Sequence, residues 1–455
     1  MFCLDESTEL TPRVIAKLIQ KFTLNEQPKL IKWRDYYEGK HEILKKQHKD
    51  ESRPCNKAVT NFAKVIADTY AGYIAGKPVS YTSNVDIADV QDAINYNDSA
   101  EQDIEFLMNA LTYCTAYELH WVDANAQPRY AQVDPVNSFA VYDDTLDSNL
   151  LYFFRWYEAD CLDDSDVYKL EVYGKSNVKI YRMHGQNGTP ELQEEKAHFY
   201  GDVPVSVFKL NKSGENIFSQ IITLNDAYNT LNSAEIDDYE AFVNAYLVFR
   251  NLDPKDTETI QSLNKMKDPR VMCLPDTVEA SWLTKNVSDA QIENILGNLK
   301  ENIFKVTACP DMADETFLAQ SGTALAYKLV GFENVASGIV ARFTKAIQRR
   351  IELICNILNM KASDAVWRDI QINFVRNLPV NLTELIQIIN SLKGTVSDAT
   401  LLAQLPFIKD VEAELEAVQA QKEANMAMFD FGSTSSNDTA VNDDDGDGED
   451  EEDEV

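Results

Sequence analysis

The spacing of apolar residues divides the chain into a first part that mixes helices with strands and a second part that is mostly helical. Apolar side chains recur at helical spacing in residues 11–50, 61–75 and 85–112, which predicts helices there. Between residues 117 and 200 the pattern changes to short segments rich in Tyr, Phe, Val and Trp, which is typical of strands. We therefore predict one α+β unit over residues 1–215, built around a mostly antiparallel sheet.

Capping and turn residues mark the ends of these segments. Thr11 and Pro12 suit the first positions of a helix, and Gly39 and Gly76 suit the ends of two others. Because Pro78 follows Gly76, an extended segment is expected after that helix. Strands are predicted at 117–122, 129–133, 138–142, 150–158, 166–173, 178–183 and 195–200, with a hairpin turn at Asn187-Gly188.

The second part predicts two helices separated by a small insert. Residues 218–247 carry apolar side chains at helical spacing, and a capping box at Ser288 opens a second helix that Pro310 stops. The insert at 254–285 is predicted to hold a helix at 255–265 and strands at 271–274 and near 280–283. A helix, an insert and a second helix form an antiparallel hairpin that bears a tip.

A long helix follows the hairpin, and an acidic tail ends the chain. The helix is predicted over residues 323–358 and would be about 54 Å long. Shorter helices are predicted at 381–393, 397–405 and 409–425. Residues 426–455 are mostly Asp, Glu, Gly, Ser and Asn, so we predict a disordered acidic tail.

The charge of the chain argues against a protein that grips nucleic acid. The formal net charge is −32, from 42 Lys and Arg against 74 Asp and Glu. The stretch from Met426 onward has twelve acids and no base, so the rest of the chain is acidic as well. A sequence-specific DNA binder takes much of its affinity from Lys and Arg on phosphates. The composition excludes tight binding of DNA but allows a protein past which DNA slides.

Sequence motifs give no support for catalysis, a cofactor or a metal site. There is no GxSxG motif and no GxxxxGK[ST] phosphate loop, and the five histidines show no metal-binding helical spacing. Seven cysteines without a CxxC pair predict buried free thiols. No apolar run approaches the roughly 18 residues needed to cross a bilayer, so we predict no membrane contact and synthesis in the cytoplasm.

Five short islands, in order along the chain, carry a resemblance to a known family. They are Tyr36–Lys40, Asn56–Tyr81, Asp134–Val136 with Phe139–Asp143, Pro204–Phe208 with Leu224–Asn229 and Ser233, and Cys309–Asp311 through Phe317 to Ser321–Leu325. Their order and spacing resemble the portal proteins of long-tailed bacteriophages of Gram-positive bacteria. Those proteins are rings through which DNA enters and leaves the phage head.

The resemblance implies a portal fold, α+β and mainly helical, that assembles as a twelve-subunit ring at the unique capsid vertex. It implies these parts: wing 1–215, stem helices 216–247 and 287–309, clip 248–286, tunnel loop 310–322, long helix 323–358 and crown 359–425. The implied function is a channel for packaging and ejection of double-stranded DNA, which passes without specific binding. The implied partners are the terminase large subunit, the head–tail connector, and the major capsid and scaffolding proteins.

Three groups of candidate site residues follow from this organisation. The channel candidates are Glu235, Asp237, Asp238, Glu240, Lys300 and Lys305. The tunnel-loop candidates are Asp311, Asp314, Glu315, Ser321 and Gly322. The candidates for partner binding at the clip are Lys265, Lys267, Arg270 and Asp276. In a ring, carboxylates on the wall would repel phosphates and let a duplex pass without sticking.

Plainer interpretations stay open beside these. The acidic helix face is more often typical of a solvated surface. The acids of 310–322 are also typical of a surface loop, and Lys300, Lys305 and Lys328 of ordinary surface lysines. The basic patch Lys40, Lys45, Lys46, His48 and Lys49 is either a solvated loop or a contact with a capsid partner. The alternative functions are a non-ring interaction scaffold, in the virion or the cytoplasm, and a hydrolase with an unrecognised site.

Overall fold

A computed structural model describes most of the chain, in two compact units. The described residues are 2–47, 54–158, 166–243, 247–250, 271–274, 289–313, 322–360, 366–377, 382–402, 405, 411 and 414–421. The first unit is Met1–Leu378 and the second is Pro379–Val455.

The first unit opens with two helices whose ends follow the predicted capping signals. Helix α1 spans Pro12–Asn25, and the Thr11 hydroxyl accepts a hydrogen bond from the Val14 amide at 3.4 Å. Helix α2 spans Gln27–Tyr37 and is followed by Gly39 at a φ of +85°, which favours glycine. The predicted start at Thr11 and Pro12 and the predicted end near Gly39 are confirmed, whereas the break between α1 and α2 at Glu26 was not predicted.

Helix α3, Phe62–Ala75, runs through the main core of the first unit. Ile66, Tyr70 and Ile74 are completely buried, and the Asn61 side chain caps the helix. At Gly76 a Cβ atom would collide with the Gly72 carbonyl oxygen, so only glycine fits this helix end. Strand β2, Ser80–Thr82, follows as the predicted extended segment.

Helices α4 and α5 lead into two antiparallel arrays of strands. The elements are α4 Ala88–Asn95, α5 Ser99–Tyr113, β3 Thr115–Val122, β4 Pro128–Val133, β5 Ser138–Tyr142, β6 Leu150–Glu158, β7 Val167–Tyr173, β8 Asn177–His184, β9 Glu191–Ala197 and β10 Val205–Lys209. A six-stranded sheet has the order β1-β5-β6-β7-β8-β9, with β1 at Phe2–Cys3, and a three-stranded sheet has the order β10-β3-β4. Only the β1–β5 pair of these sheets is parallel.

Three details of the strand prediction are wrong. The strands form two main sheets rather than one. The last strand of the larger sheet is Glu191–Ala197 rather than 195–200, because every residue of this polar edge strand is exposed and no alternation marks it. Strands β1 and β10 were not predicted. The turn at Asn187-Gly188 does connect β8 with β9, as expected.

The helical half follows the predicted order with corrected ends. Helix α6 spans Ile222–Val243 after a 3-10 turn at Ser219–Ile221, helix α7 spans Asp289–Val306, and helix α8 spans Gly322–Met360. The 39 residues of α8 give a length of about 58 Å.

The insert contains a strand pair whose first member the sequence did not indicate. Leu247–Arg250 (β11) pairs in parallel with Val271–Leu274 (β12). The predicted strand at 271–274 is confirmed, but residue 247 belongs to a strand and not to the preceding helix. The predicted helix at 255–265 and strand near 280–283 lie outside the described residues.

A short strand after α8 also corrects a predicted boundary. Strand β13, Gln371–Asn373, pairs antiparallel with β2, and Ile370 beside it is buried in the main core. The first unit therefore extends through residue 378, whereas the sequence placed the start of a separate part at 359. Apolar side chains of this stretch pack on the core and hold it there.

The second unit is helical where it is described. Helix α9 spans Leu382–Leu392, helix α10 spans Asp398–Leu402, and residues 414–421 are helical. These agree with the predicted helices at 381–393, 397–405 and 409–425. The predicted disordered tail at 426–455 lies outside the described residues.

Aromatic side chains build the two larger cores of the first unit. Phe208 of β10 stacks on Phe343 of α8 with ring centroids 5.0 Å apart, and Phe106 of α5 meets Phe208 edge-on at 5.6 Å. In the second core, Phe22 of α1 packs on Phe139 of β5 at 5.1 Å. The long helix is thus bound to the smaller sheet, and the first helix to the larger sheet.

Three of the five cysteines whose burial the structure describes are buried thiols, as the sequence indicated. Cys114, Cys309 and Cys355 are buried and free, and burial raises the pKa of Cys309 to about 12 and that of Cys355 to about 11. Cys3 is exposed, because the alternation of strand β1 turns Phe2 inward and Cys3 outward.

One arginine is completely buried among acidic side chains. Arg350 of α8 donates two hydrogen bonds to Glu118 of β3, at 2.8 and 2.7 Å, and one to Asp103 of α5. The ring of Tyr130 lies 4.5 Å from its guanidinium carbon. Burial alone would raise the pKa of Glu118, but Arg350 and His120 lower it to about 2. This network joins α8 to both α5 and the smaller sheet.

Replacing Arg350 with Met should destabilise the first unit by about 3–5 kcal/mol, because Glu118 and Asp103 would be left buried without their cation. Denaturant unfolding followed by tryptophan fluorescence measures this change. The matched control is Arg349→Met, which removes contacts with Asp202, Glu352 and the Val203 carbonyl. Both carboxylates are partly exposed and stay hydrated, so about 1 kcal/mol or less is expected. Equal losses in the two variants would contradict the importance given to the buried network.

Candidate functional site: the anchored pair of helices α6 and α7

Helices α6 and α7 meet the core at the same point of helix α3. Phe62, the first residue of α3, lies edge-on against Tyr228 of α6 at 5.1 Å and against Phe304 of α7 at 5.9 Å. Tyr228 is near the start of α6, and Phe304 is near the end of α7. The chain therefore leaves the core along α6 and returns along α7, which makes the two helices antiparallel.

Two tyrosines of α3 fix the end of α7 and the start of α8. The Tyr70 hydroxyl donates to the carbonyl oxygen of Thr307 at 2.8 Å, just after α7. The rings of Tyr70 and Tyr73 lie 4.4 and 4.7 Å from the ring of Phe332 in α8. Burial raises the pKa of Tyr70, so its hydroxyl keeps the proton that it donates. One helix thus holds three others.

A stripe of polar residues fastens α6 to the chain in front of α3. This polar stripe consists of Asn225, Asn229, Ser233 and Asp237, which share one face of the helix because they are four residues apart. Asn225, Asn229 and Ser233 are 0% exposed. Polar side chains buried to this degree require hydrogen-bond partners. Segment 56–60 supplies a partner to each of these side chains, whereas Asn225 Oδ1 is buried without a described partner.

The two asparagines bind both backbone groups of one residue. Asn225 Nδ2 donates to the carbonyl oxygen of Thr60, and Asn229 Oδ1 accepts from the Thr60 amide, both at 2.8 Å. An amide side chain can act as donor or acceptor. The two asparagines therefore supply hydrogen bonds to the amide and the carbonyl of Thr60, which lies outside any strand or helix.

The next two residues of the stripe continue the same pattern. Ser233 Oγ accepts from the Ala58 amide at 3.0 Å, and Asp237 Oδ1 accepts from the Asn56 amide at 2.6 Å. Segment 56–60 therefore lies along α6 with its alternate amides bonded to side chains at successive turns. A helix held by such bonds cannot slide along its neighbour without breaking all of them at once.

Asp237 also forms the most enclosed ion pair of this region. Its second oxygen lies 2.6 Å from Lys46 Nζ, and the carboxylate side chain is 12% exposed. Burial alone would raise the pKa of Asp237, but the bonds from Lys46 and Asn56 hold it below its ordinary value. The basic patch was interpreted as a solvated loop or as a contact with a capsid partner. Neither interpretation includes the observed bond between Lys46 and a carboxylate of the same chain.

The four carboxylates predicted to line a channel lie on different faces of α6. Asp237 is bonded as described, and Glu240 accepts from Asn56 Nδ2 at 2.9 Å. Glu235 and Asp238 point to other faces, because a helix turns about 100° per residue, and Asp238 is exposed. Asp238 and Glu240 are exposed and Glu235 is half-buried, whereas Asp237 is enclosed by its partners.

The remaining candidates divide between described and undescribed residues. Lys300 of α7 binds Asp311 at 2.6 Å, which joins a channel candidate to a tunnel-loop candidate, and Lys305 is exposed. Gly322 is the first residue of α8 rather than part of the loop. Outside the described residues lie Asp314, Glu315, Ser321, Lys265, Lys267, Arg270 and Asp276.

Away from the polar stripe, the helix pair carries exposed apolar side chains. Tyr239 of α6 is 73% exposed, Ile236 is 39% exposed, and Ile295 of α7 is 47% exposed. Apolar side chains exposed together on neighbouring elements are typical of a surface that another protein covers.

Sequence reasoning overlooked the polar stripe although its signal was present. Asn225, Asn229 and Ser233 recur every fourth residue, and such a run on an otherwise apolar helix face indicates buried polar partners. The same residues lie in the fourth island of the family resemblance, and segment 56–60 lies in the second. The islands that carry the resemblance therefore include both partners of this contact, the polar stripe and segment 56–60.

The described residues form neither a metal-binding cluster nor a helix that could span a membrane. Within the described ranges, no three His, Cys, Asp or Glu side chains come together in a group that could hold a metal ion. In the part of the chain that the structure describes, no helix combines the length and the apolar character needed to cross a bilayer.

Replacing Ser233 with Ala should destabilise the first unit by about 1–3 kcal/mol, because the Ala58 amide would lose its acceptor. Hydrogen exchange at the Ala58 amide should rise together with the loss in stability. The control is Thr230→Ala, an exposed residue whose hydroxyl bonds only to the Asp226 carbonyl of its own helix. An Ala58 amide equally protected in S233A and the native chain would refute the role of the stripe.

Comparison with known proteins adds an independent finding. The family described as "Phage portal protein, SPP1 Gp6-like" matches residues 17–428. The portal protein of Bacillus phage SPP1 is 21% identical over 451 residues, which covers 91% of this chain and 87% of that protein. The matched range includes helix α3, the polar stripe and the helix pair.

Proposed function

Because this chain belongs to the SPP1 Gp6-like family of phage portal proteins, we propose that it closes head-to-tail into a twelve-subunit ring with helices α6 and α7 around the axis. Its role is that of a phage portal protein, a structural component of the virion at the capsid. The ring, its subunit number and the path of DNA through it are our proposal. In this proposal double-stranded DNA passes through the ring during packaging and ejection.

The observation that carries the proposal is a helix pair that is bound to the core of the first unit and also exposes apolar side chains. The pair is bound by Phe62, Tyr70 and segment 56–60. The exposed apolar side chains include Tyr239 of α6 and Ile295 of α7. A neighbouring copy of the same pair would cover these side chains, and repetition of one head-to-tail contact closes a ring when the rotation permits.

The parts of the ring are assigned with the corrected boundaries. Residues 1–215 form the wing, α6 and α7 the stem, and residues 248–286 the clip. The tunnel loop runs from 310 to 321 and α8 follows it, so Gly322 belongs to the helix. The crown begins at residue 379, since the chain before it packs into the first unit.

Electrostatics support a channel that does not retain DNA. Glu235 and Asp238 face the axis in this assignment, and their charges repel the phosphates of the duplex. Lys300 is paired with Asp311, so it offers phosphates little net positive charge. The clip, with Lys265, Lys267, Arg270 and Asp276, contacts the terminase large subunit during packaging and the head–tail connector afterwards.

Electron microscopy of the purified full-length protein tests the assembly. Rings with a central hole wide enough for a duplex, roughly 20 Å, are the expected result, with about twelve subunits per ring. Compact monomers or dimers, together with absence of this chain from the portal vertex of virions, would instead favour a non-ring interaction scaffold.

Replacing Glu235 and Asp238 together with Lys should slow DNA packaging by about tenfold, because phosphates would be attracted to the wall of the channel. The measurement is the rate of DNA uptake into proheads by the terminase motor, and the defect should weaken with added salt.

The control for this charge change is Asp89→Lys with Glu191→Lys, two exposed carboxylates of the proposed wing. It alters the net charge by the same amount but should leave packaging at the native rate. If both double variants package alike, Glu235 and Asp238 do not line the channel.

A further inference from the structure

A single histidine connects helix α2 to the polar stripe of α6. His41 is 1% exposed and follows the turn after α2. Its Nε2 lies 3.0 Å from the Tyr36 carbonyl oxygen, and its Nδ1 lies 2.9 Å from Asn229 Nδ2. The ring stacks on that of Tyr36, with centroids 4.7 Å apart. Both ring nitrogens are therefore engaged, and neither contact reaches water.

Backbone groups at both ends of this chain of bonds determine where the ring proton lies. The Tyr36 carbonyl can only accept, so His41 Nε2 carries a hydrogen. The Thr60 amide can only donate, so the atom of Asn229 that faces it is the oxygen. Asn229 Nδ2 then donates to His41 Nδ1, which must be without a proton. The geometry thus requires the neutral ring in one tautomer.

We propose that His41 is a positioning residue for helix α6 and acts only in this neutral form. A second proton on the ring would set an Nδ1–H donor against the Asn229 amide, which is also a donor. To avoid that conflict Asn229 would have to turn over, and its oxygen would leave the Thr60 amide. Protonation of His41 therefore releases α6 from segment 56–60 at this turn. The proposal rests on the proposed function, in which α6 is a wall of the channel.

The charged groups around His41 do not relieve the conflict. Asp226 of α6 accepts from the Tyr36 hydroxyl at 2.8 and 2.7 Å rather than from the histidine. Glu42, the next residue, forms an ion pair with Lys45. Three lysines of the neighbouring elements have other positions: Lys32 lies over the Tyr36 ring, Lys57 donates to the Leu44 carbonyl, and Lys46 binds Asp237. Among the described contacts, neither ring nitrogen of His41 meets a carboxylate.

Hydrogen exchange at the Thr60 amide tests the proposal on the full-length protein. Exchange is compared at about pH 8 and about pH 5.5, after correction for intrinsic rates with an unstructured peptide. We expect protection of this amide to fall by roughly tenfold at the lower pH, as one buried hydrogen bond is lost. Equal protection at the two pH values would overturn the proposal without any variant.

Two variants show whether the pH dependence of exchange at the Thr60 amide comes from His41 or from a general effect of acid on the protein. In His41→Gln the side-chain amide can donate to Tyr36 and accept from Asn229, so protection should become independent of pH. In Asn229→Asp the carboxylate accepts from both Thr60 and an Nδ1–H, so protection should be better at the lower pH than at the higher. The control is His184→Gln, an exposed histidine whose loss should leave the native response unchanged.

Each outcome counts for or against the role of His41. A pH response in His41→Gln that matches the native chain, or no reversal in Asn229→Asp, would overturn it. The exchange measurement requires neither rings nor DNA. Its failure is therefore distinguishable from failure of the proposed function, which imaging of the assembled protein decides separately.

Discussion

The contacts of helix α3 and of the segment in front of it hold the second half of the chain to the first. Phe62 lies between α6 and α7, Tyr70 binds the chain after α7, and Phe332 brings α8 to the same helix. Every helix of the proposed stem and the long helix after it meets this one element. Because α3 is buried along most of its length, a change in its position would be transmitted to all three helices.

Apolar packing and polar contacts contribute differently to that arrangement. Aromatic packing supplies most of the burial and tolerates small shifts, whereas hydrogen bonds to buried backbone amides fix one register. The polar stripe does this for α6, and Arg350 does it for α8 through Glu118 and Asp103. A protein that must align a set of helices around an axis needs a defined register more than it needs additional stability. Both polar contacts meet that need.

The distribution of acidic residues has two distinct consequences. Some carboxylates that looked like a solvated helix face are internal ligands of the chain, and Asp237 with its Lys46 partner is the clearest case. Others, such as Asp238, stay exposed and give the same helix an outward negative charge. One helix therefore uses acidic residues both to bind the body and, in the proposed ring, to repel the phosphates of passing DNA. The face of the helix on which each carboxylate lies separates the two uses, and composition alone does not reveal it.

The order of the helices and of most strands, the hairpin of α6 and α7 and the length of α8 were predictable from the sequence, because periodicity and capping are local properties. Gly39 and Gly76 marked helix ends for the same reason. The partner of Arg350, the bond between Asn229 and Thr60, and the pairing of β13 with β2 were not predictable. Each joins residues more than a hundred positions apart. Such contacts depend on which helix faces are brought together, and only tertiary packing decides that.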